Sequence, residues 1–406
     1  MSTELETISE NSCIAKNIGA LHLKYGESGA YGDFDTHFMP TQDEVAPNGL
    51  LRIYESYRKQ AKYPDFLPTW DTKEKYPPLK FHKYEDPALR ADPNFPNLFP
   101  ENKKHLINTR KVTPKMGTEI RGIQLTELSD SAKDELALLV AQRGVVLLRN
   151  QNMAEKGAAY AANYGKHFGQ LHIHPTSGHP EHIPELHITF RRPDHDEFDR
   201  VFYDSNSSIF WHTDVSYELQ PPSYTFFNVL EGPDGGGDTL FGDSIEAFDR
   251  LSKPFQDFLS TLHVTHSSKE QANDSKIQGG IQRRDPVTNI HPLVRVHPVL
   301  KKKCLFVNKS FSRRIIELKK PESNLLLDFL YSLADNTHDL QLRANWEPGT
   351  VAVWDNRRVQ HSAVIDWEAP IRRHAFRITA QGERPVESLK HLNDETYYPS
   401  SVGRGL

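Results

Sequence analysis

With two cysteines, Cys13 and Cys304, in 406 residues, the chain has no disulfide framework, and so few thiols fit a reducing compartment. No stretch approaches the apolar run a membrane span needs, and Met1 to Ala15 carries acidic residues where a secretory leader would be basic. Cytoplasm is the expected location. A basic surplus is missing as well: 49 Lys and Arg stand against 54 Asp and Glu, a net charge of −5 with both signs interspersed. That balance argues against a nucleic-acid-binding surface, and Lys301-Lys-Lys303 reads as a solvated turn. No internal repeat and no low-complexity tract is present, which excludes solenoids and leaves a globular chain.

What is there is 37% hydrophobic residues, enough for a sizeable core, on a chain long enough for one large domain with an extension. Residues 1–110 read as an N-terminal extension rich in Pro and aromatics, 111–385 as the main domain and 386–406 as a tail. Met1 to about Glu101 reads as irregular, because Pro between Tyr63 and Pro100 removes donors and fixes φ. The aromatics there predict a segment wrapped against the body, with the first thirty or so residues loose. Oligomeric state is left open, a homo-oligomer included.

Regular structure is expected from Lys111. Ser129 or Ser131 caps a helix carrying Leu136, Leu139 and Val140 on one face, and Gly144 ends it before the strand Val145–Leu148. A second helix is predicted over Ala154 to about His167 and a third over Glu322 to Ala334. Short β-type runs follow from Ile209: Tyr224–Leu230, Leu262–His266, Leu293–His297, Cys304–Val307, Thr350–Trp354 and Ala375–Thr379. Many short strands with turn residues between them predict a mainly β fold with flanking helices (α+β), a jelly roll.

Chemistry concentrates in Trp211-His212-Thr213-Asp214-Val215 and a distant echo, Trp354-Asp-Asn-Arg-Arg-Val-Gln-His361. On a strand, residues i and i+2 share a face, so His212 and Asp214 can aim an imidazole and a carboxylate at one point, with His361 arriving from a neighbour. Two His and one carboxylate, with the opposite positions open, is the facial triad of non-haem Fe(II) oxygenases. A chain with 20 His produces H-x-D by chance, the bland reading being a His and an Asp hydrogen-bonded at a strand end. The context is less easily chance: a Gly-rich turn, Gly232 to Gly237, runs into Asp238-Thr239-Leu240, and Arg372, Arg373 and Arg377 follow His361.

From Lys111 to about Pro385 the chain resembles the taurine/2-oxoglutarate dioxygenase family. The likeness is carried by Phe168-Gly-Gln-Leu-His-Ile-His174-Pro175, Trp211–Val215, Gly236-Gly-Asp-Thr239-Leu240, His291-Pro-Leu-Val-Arg-Val-His297-Pro298, Phe306-Val-Asn308, Trp354-Asp-Asn-Arg357 and Arg372-Arg-His-Ala-Phe-Arg377, in the family's order. The resemblance implies a double-stranded β-helix whose mouth holds Fe(II) on His212, Asp214 and His361. It also implies 2-oxoglutarate and O2 as cosubstrates, with succinate and CO2 as products of the oxidative step. No catalytic residue beyond the iron ligands is implied.

The same resemblance implies that Thr239 and Arg373 bind the distal carboxylate of 2-oxoglutarate, for which a planar guanidinium fork is well suited. One extra residue between His361 and Pro370 keeps Arg372 in competition. Arg377, four residues past Arg373 and on the same strand face, matches the family's sulfonate-binding Arg. His174 matches a second sulfonate contact and Phe311 an aromatic lining; a sulfonate also wants further donors, for which the backbone near Val215 is a candidate. Ser177 and Ser208 stand where the taurine enzymes place a Tyr and an Asn, which implies a broader sulfonate preference. The expected activity is hydroxylation beside sulfur, releasing sulfite and an aldehyde from a small-molecule sulfonate in sulfur scavenging. An oxygenase of a small carboxylate such as an aryloxyacetate, or a non-enzymatic jelly-roll binding protein, are the alternatives. His172, His291 and His297 are read as structural.

Overall fold

A strand made of Val145-Val146-Leu147-Leu148 has no polar side chain to turn to water, so both its faces must be covered. The computed structural model, which describes residues 43–191, 206–208, 210–277, 280–367 and 371–397, shows by what. The N-terminal segment forms a small antiparallel sheet of β1 (Asp43–Val45), β2 (Leu51–Ile53) and β3 (Thr69–Trp70), with a one-turn helix α1 (Glu55–Arg58). The main sheet has the order β4 (Asn108–Lys111), β5 (Thr118–Arg121), β6 (Val145–Leu148), β16 (Val351–Asp355), β8 (Pro222–Glu231), β18 (Arg373–Gln381), β7 (Leu186–Arg191). Within it β5 and β6 run parallel and the other pairs antiparallel.

A second sheet has the order β15 (Gln341–Ala344), β9 (Thr239–Asp243), β17 (Val359–Ala363). Further strands are β11 (Thr288–Pro292), β10 (His263–Ser267) and β14 (Ser312–Ile315) in a third sheet, and β12 (Val294–Val296) paired with β13 (Lys303–Leu305).

Strand alternation now explains the apolar run. Val146 and Leu148 of β6 join Val351, Val353, Phe226, Phe376 and Ile378 in a core covered by α2 (Asp130–Arg143) and α3 (Ala158–Gly165). Val145 and Leu147 join Ala352 and Trp354 on the opposite face, where Phe241, Leu342 and Val359 of the second sheet cover them. A third core lies between β10, β14 and α4 (Lys320–Asn336), around Val264, Ile315, Leu327 and Leu330. Each such buried side chain contributes about 1.5–3 kcal/mol through lost apolar hydration.

Capping follows the local chemistry. Ser129 rather than Ser131 caps α2, its hydroxyl accepting the Ala132 N–H at 3.2 Å, and Gly144 closes the helix with its N–H on the Val140 carbonyl at 2.7 Å. The second predicted helix is shorter than expected. Gly157 takes φ 83, so only Ala158–Gly165 is α-helical, flanked by 3-10 turns at Met153–Lys156 and Lys166–Phe168.

The extension is less irregular than its proline content predicts, since β1 to β3 and α1 lie within it. Pro-rich backbone is already extended, and where it meets a partner it pairs: Thr69 exchanges backbone hydrogen bonds with His179 at 2.8 and 3.2 Å. The same segment is fastened to the main sheet. Phe66 stacks on Phe376 at 4.5 Å between ring centres, and its carbonyl accepts from His374 Nε2 at 2.8 Å. The expectation of a loose stretch over the first thirty residues lies outside the described residues.

Candidate metal centre

His361 sits on β17, pointing out of the second sheet toward the main one, and its ring is packed by Trp354 at 4.8 Å and Phe241 at 6.0 Å. His212 does not lie on a regular strand. It makes an isolated bridge to His361, the two residues exchanging backbone hydrogen bonds at 3.0 and 2.8 Å, and their rings stand 4.1 Å apart. Asp214 then begins a turn in which Val215 takes φ 40. The expected route to convergence, alternation along a strand, is therefore corrected: a bridge places His212, and a strained turn swings Asp214 back beside it.

Ligand atoms of His212, Asp214 and His361 all lie within 4.8 Å of one another. Asp214 Oδ1 is 3.6 Å from His212 Nε2 and 3.7 Å from His361 Nε2. His212 Nδ1 donates to the Phe210 carbonyl at 3.0 Å, which in the neutral ring turns the Nε2 lone pair toward the carboxylate. Burial pushes the His361 pKa well below the usual imidazole range, with His212 adding to the shift and Asp214 opposing it. Burial alone would raise Asp214, but the Arg377 guanidinium beside it holds it well below the usual carboxylate range. Unprotonated ring nitrogens facing an ionised carboxylate in a buried space are a donor set for a divalent cation.

The carboxylate is oriented by further partners. Asp214 Oδ1 accepts from Arg377 Nη1 at 2.7 Å and Oδ2 from the Thr225 hydroxyl at 3.4 Å. Asn356 holds the Asp214 backbone, Oδ1 accepting its N–H at 2.9 Å and Nδ2 donating to its carbonyl at 3.1 Å.

Residues 108–379 match the family described as taurine catabolism dioxygenase TauD, TfdA family. The chain belongs to the TauD/TfdA dioxygenase family. It is 71% identical over 384 residues to the alpha-ketoglutarate-dependent sulfonate dioxygenase of Saccharomyces cerevisiae, covering 95% of this chain and 93% of that protein. It is 40% identical over 336 residues to the alpha-ketoglutarate-dependent dioxygenase cnsM of Penicillium expansum, covering 82% and 92%. Among solved structures, a taurine dioxygenase from Burkholderia xenovorans superposes with a TM-score of 0.57 at 26% identity, covering 69% of this chain and 93% of that one.

In this TauD/TfdA enzyme the two candidate anion-binding arginines lie on the face of β18 opposite Phe376 and Ile378. Arg373 is buried, donates to the Gly237 carbonyl at 3.2 Å and lies over Phe227 and Trp367 at 5.9 and 5.7 Å. Arg191, its partner in register on β7, lies over the same Trp367 at 4.9 Å. Arg372 faces the other way, 3.7 Å from Glu231 and over Phe190 at 5.8 Å. Thr239 opens β9 opposite Ala363, two residues beyond Gly237. The Gly-rich turn before it requires glycine: Gly236 takes φ 85, and a Cβ there would stand 2.9 Å from Asp366 Oδ1, which receives the Gly237 N–H at 2.8 Å.

Arg377 also meets His187 Nδ1, at 2.6 Å from Nη2, and the His187 ring lies 4.6 Å from that of His174. His174 Nδ1 accepts from the Ser177 hydroxyl at 2.7 Å and the Ser177 N–H at 3.2 Å, so its Nε2 carries the proton. Phe311 and Val215 form a small apolar cluster with Tyr217, and Phe311 stands edge-on to His212 at 6.3 Å. Ser208 is turned to the Ile365 N–H at 3.1 Å. Three residues of this constellation had no role in the sequence reading: His187, Thr225 and Asn356. Only Asn356 lay in a quoted motif, and His187 and Asn356 stand 190 and 142 residues from their partners in the chain. The histidines read as structural are buried and bonded, His172 Nε2 to Glu218 at 2.9 Å and His297 Nε2 to Asp355 at 2.9 Å.

Proposed function

We propose that this TauD/TfdA enzyme is an Fe(II)- and 2-oxoglutarate-dependent dioxygenase that hydroxylates the carbon bearing sulfur in organosulfonates, releasing sulfite and an aldehyde alongside succinate and CO2. His212, Asp214 and His361 would hold the iron. Bound there, iron and 2-oxoglutarate supply the activation of dioxygen. The main and second sheets facing each other around Trp354 and Phe241 support a double-stranded β-helix, with the site at its open mouth.

Arg373, with Thr239 near it, holds the distal carboxylate of 2-oxoglutarate. Apolar neighbours on the guanidinium, Phe227 and Trp367, strengthen its pairing with an anion by keeping water away. The observation that carries the sulfonate reading is Arg377, a second buried guanidinium fixed 2.7 Å from the ligand carboxylate Asp214 and 2.6 Å from His187. A singly charged group with three acceptor oxygens matches one fixed cation with a neighbouring N–H donor, which His174 supplies. Val215 and Phe311 close the apolar side. Ser177 and Ser208 are engaged by His174 and the Ile365 N–H, so the end of the substrate away from sulfur is loosely specified. The S. cerevisiae relative's name supports the same class. Its proposed substrate is a small molecule and its proposed location the cytoplasm.

The test is sulfite release from isethionate, taurine and short alkanesulfonates set against their carboxylate analogues, with Fe(II) and 2-oxoglutarate present. Turnover of the sulfonates, amino group or not, is expected. Equal turnover of the carboxylates overturns it.

A further inference from the structure

The family match begins at residue 108, yet a residue well before it reaches the loop that carries His174. That loop, Ile173 to Ser177, is gripped by Arg283 and Arg284. The Ile173 carbonyl accepts from Arg284 Nη2, the Pro175 carbonyl from the Arg283 backbone N–H at 2.7 Å, and the Ser177 carbonyl from Arg283 Nη2. Three alternate carbonyls around His174 thus take donors from two consecutive residues. Both guanidiniums are buried, and a buried cation needs an anion held against it. For Arg284 the anion is Glu218, at 2.6 Å, in the turn that follows Asp214. For Arg283 it is Glu74, whose Oε2 lies 3.5 Å from Nη1 and 3.0 Å from His179 Nε2.

Glu74 belongs to the N-terminal extension and is itself well anchored. The Tyr76 hydroxyl donates to Oε1, the Tyr76 N–H donates to the Arg283 carbonyl at 2.7 Å, and Lys75 Nζ donates to the Gln282 carbonyl. Beyond His174, the extension lies so close to Gly178 that a Cβ there would meet Pro68 at 2.8 Å and the Trp70 ring at 2.9 Å. The backbone pairing of Thr69 with His179 fixes the chain two residues past the loop. Burial would raise the Glu74 carboxyl, but hydrogen bonds from His179 and Tyr76, and after them the Arg283 charge, draw it down to about 2, so it stays ionised at neutral pH.

We propose that Arg283 and Arg284 form a clamp that sets the position of His174, and that Glu74 of the N-terminal extension is a positioning residue that holds the clamp closed. The extension thereby takes part in substrate binding. This rests on the reading of His174 as a sulfonate contact. The chain of contacts runs Glu74 to Arg283, Arg283 to the Ser177 carbonyl, and the Ser177 hydroxyl to His174 Nδ1. Loss of the Glu74 charge leaves Arg283 free to seek another partner and releases Ser177, so His174 loses the bond that fixes its tautomer and ring plane.

The experiment is steady-state kinetics on the full chain loaded with Fe(II), with isethionate and 2-oxoglutarate varied in turn. Glu74→Gln keeps the shape and removes the charge. It is expected to raise the isethionate KM roughly tenfold with the 2-oxoglutarate KM unchanged, a misplacement effect rather than a loss of chemistry. Glu74→Asp is expected to recover most of the loss. Arg283→Lys, which keeps the charge and loses the fork to Ser177, should shift the isethionate KM in the same direction and carries the test should Glu74→Gln fold poorly. An unchanged isethionate KM in both variants, or equal shifts for the two substrates, overturns the clamp. His174→Ala separates the two readings: if it raises the isethionate KM while Glu74→Gln does not, the clamp alone is wrong. If His174→Ala has no effect, the substrate assignment of His174 fails first.

Discussion

Asn356 brackets the peptide of Asp214, accepting its N–H at 2.9 Å and donating to its carbonyl at 3.1 Å, although the two residues are 142 apart in sequence. The bracket matters because Asp214 has no strand ladder to hold it. It begins a turn, and Val215 after it has a positive φ of 40, which a β-branched residue adopts only when its surroundings impose it. Asn356 is itself placed by the end of β16, where its N–H bonds to the Ser223 carbonyl at 2.8 Å and its Nδ2 also reaches the Pro222 carbonyl at 3.3 Å.

Asn356→Asp retains an acceptor for the Asp214 N–H but turns a second carboxylate oxygen toward two carbonyls, while Asn356→Ala removes both bonds. Each variant is expected to weaken divalent-metal affinity by about 10- to 100-fold, as loss of an outer partner of a ligand does. Anaerobic titration with Fe(II) or Co(II) measures it. Wild-type affinity in Asn356→Ala would show that the turn holds Asp214 unaided.

Loss of a ligand goes further. His212→Ala, Asp214→Ala and His361→Ala are each expected to abolish turnover and bound iron after gel filtration. Asp214→Glu should retain more iron than Asp214→Asn, since a neutral amide is a poorer ligand for a hard cation and also leaves the Arg377 guanidinium, 2.7 Å away, without its anion. Turnover that persists in excess chelator would remove the metal from the account.

The sequence made the residue types of this centre visible but not the way they meet. His212, Asp214 and His361 were legible because ligand chemistry restricts side-chain choice, whereas the bridge and turn that join them depend on backbone pairing across 149 residues. The apolar runs of β6 and β16 were readable, since such runs announce burial on two faces. Short strands such as Ser312–Ile315, with polar side chains and a single neighbour, give no periodic signal. His187 and Glu74 escaped notice because an isolated His or Glu carries no pattern. Their roles come from a partner 190 or 209 residues away.

The competition between Arg372 and Arg373 turns on which side of β18 each faces. Arg373 is buried beside Gly237, and Arg372 is half-buried against Glu231. Arg373→Ala is expected to raise the 2-oxoglutarate requirement by about 2–5 kcal/mol, the cost of breaking a desolvated ion pair, and Thr239→Ala by about 1–3 kcal/mol. Arg372→Ala should leave it unchanged. Titration of the Fe(II) enzyme with 2-oxoglutarate reads all three, and a large effect at Arg372 with none at Arg373 would reverse the assignment.

Acid should destabilise the fold through His291 before the carboxylates titrate. His291 is buried, its Nε2 donating to the Glu218 carbonyl at 3.0 Å, with the His266 ring 5.4 Å away. Burial lowers its pKa from 6.5 to about 3, and Arg295 and Arg384 add to the fall. The folded pKa therefore lies below the unfolded one. Above pH 6.5 neither state holds the proton and the stability is fully present; as pH falls from 6.5 toward about 3 the unfolded chain alone binds it, and stability is lost. One such group costs up to about 1.4 kcal/mol per pH unit over that window. His266, also pushed down by burial and by His291, acts in the same direction. His291→Gln keeps an N–H for the Glu218 carbonyl and removes the titration, so its urea midpoint should fall less steeply than that of the wild type between about pH 6.5 and 5. Parallel midpoints in the two proteins across that range would mean that His291 is already open to protonation in the folded state.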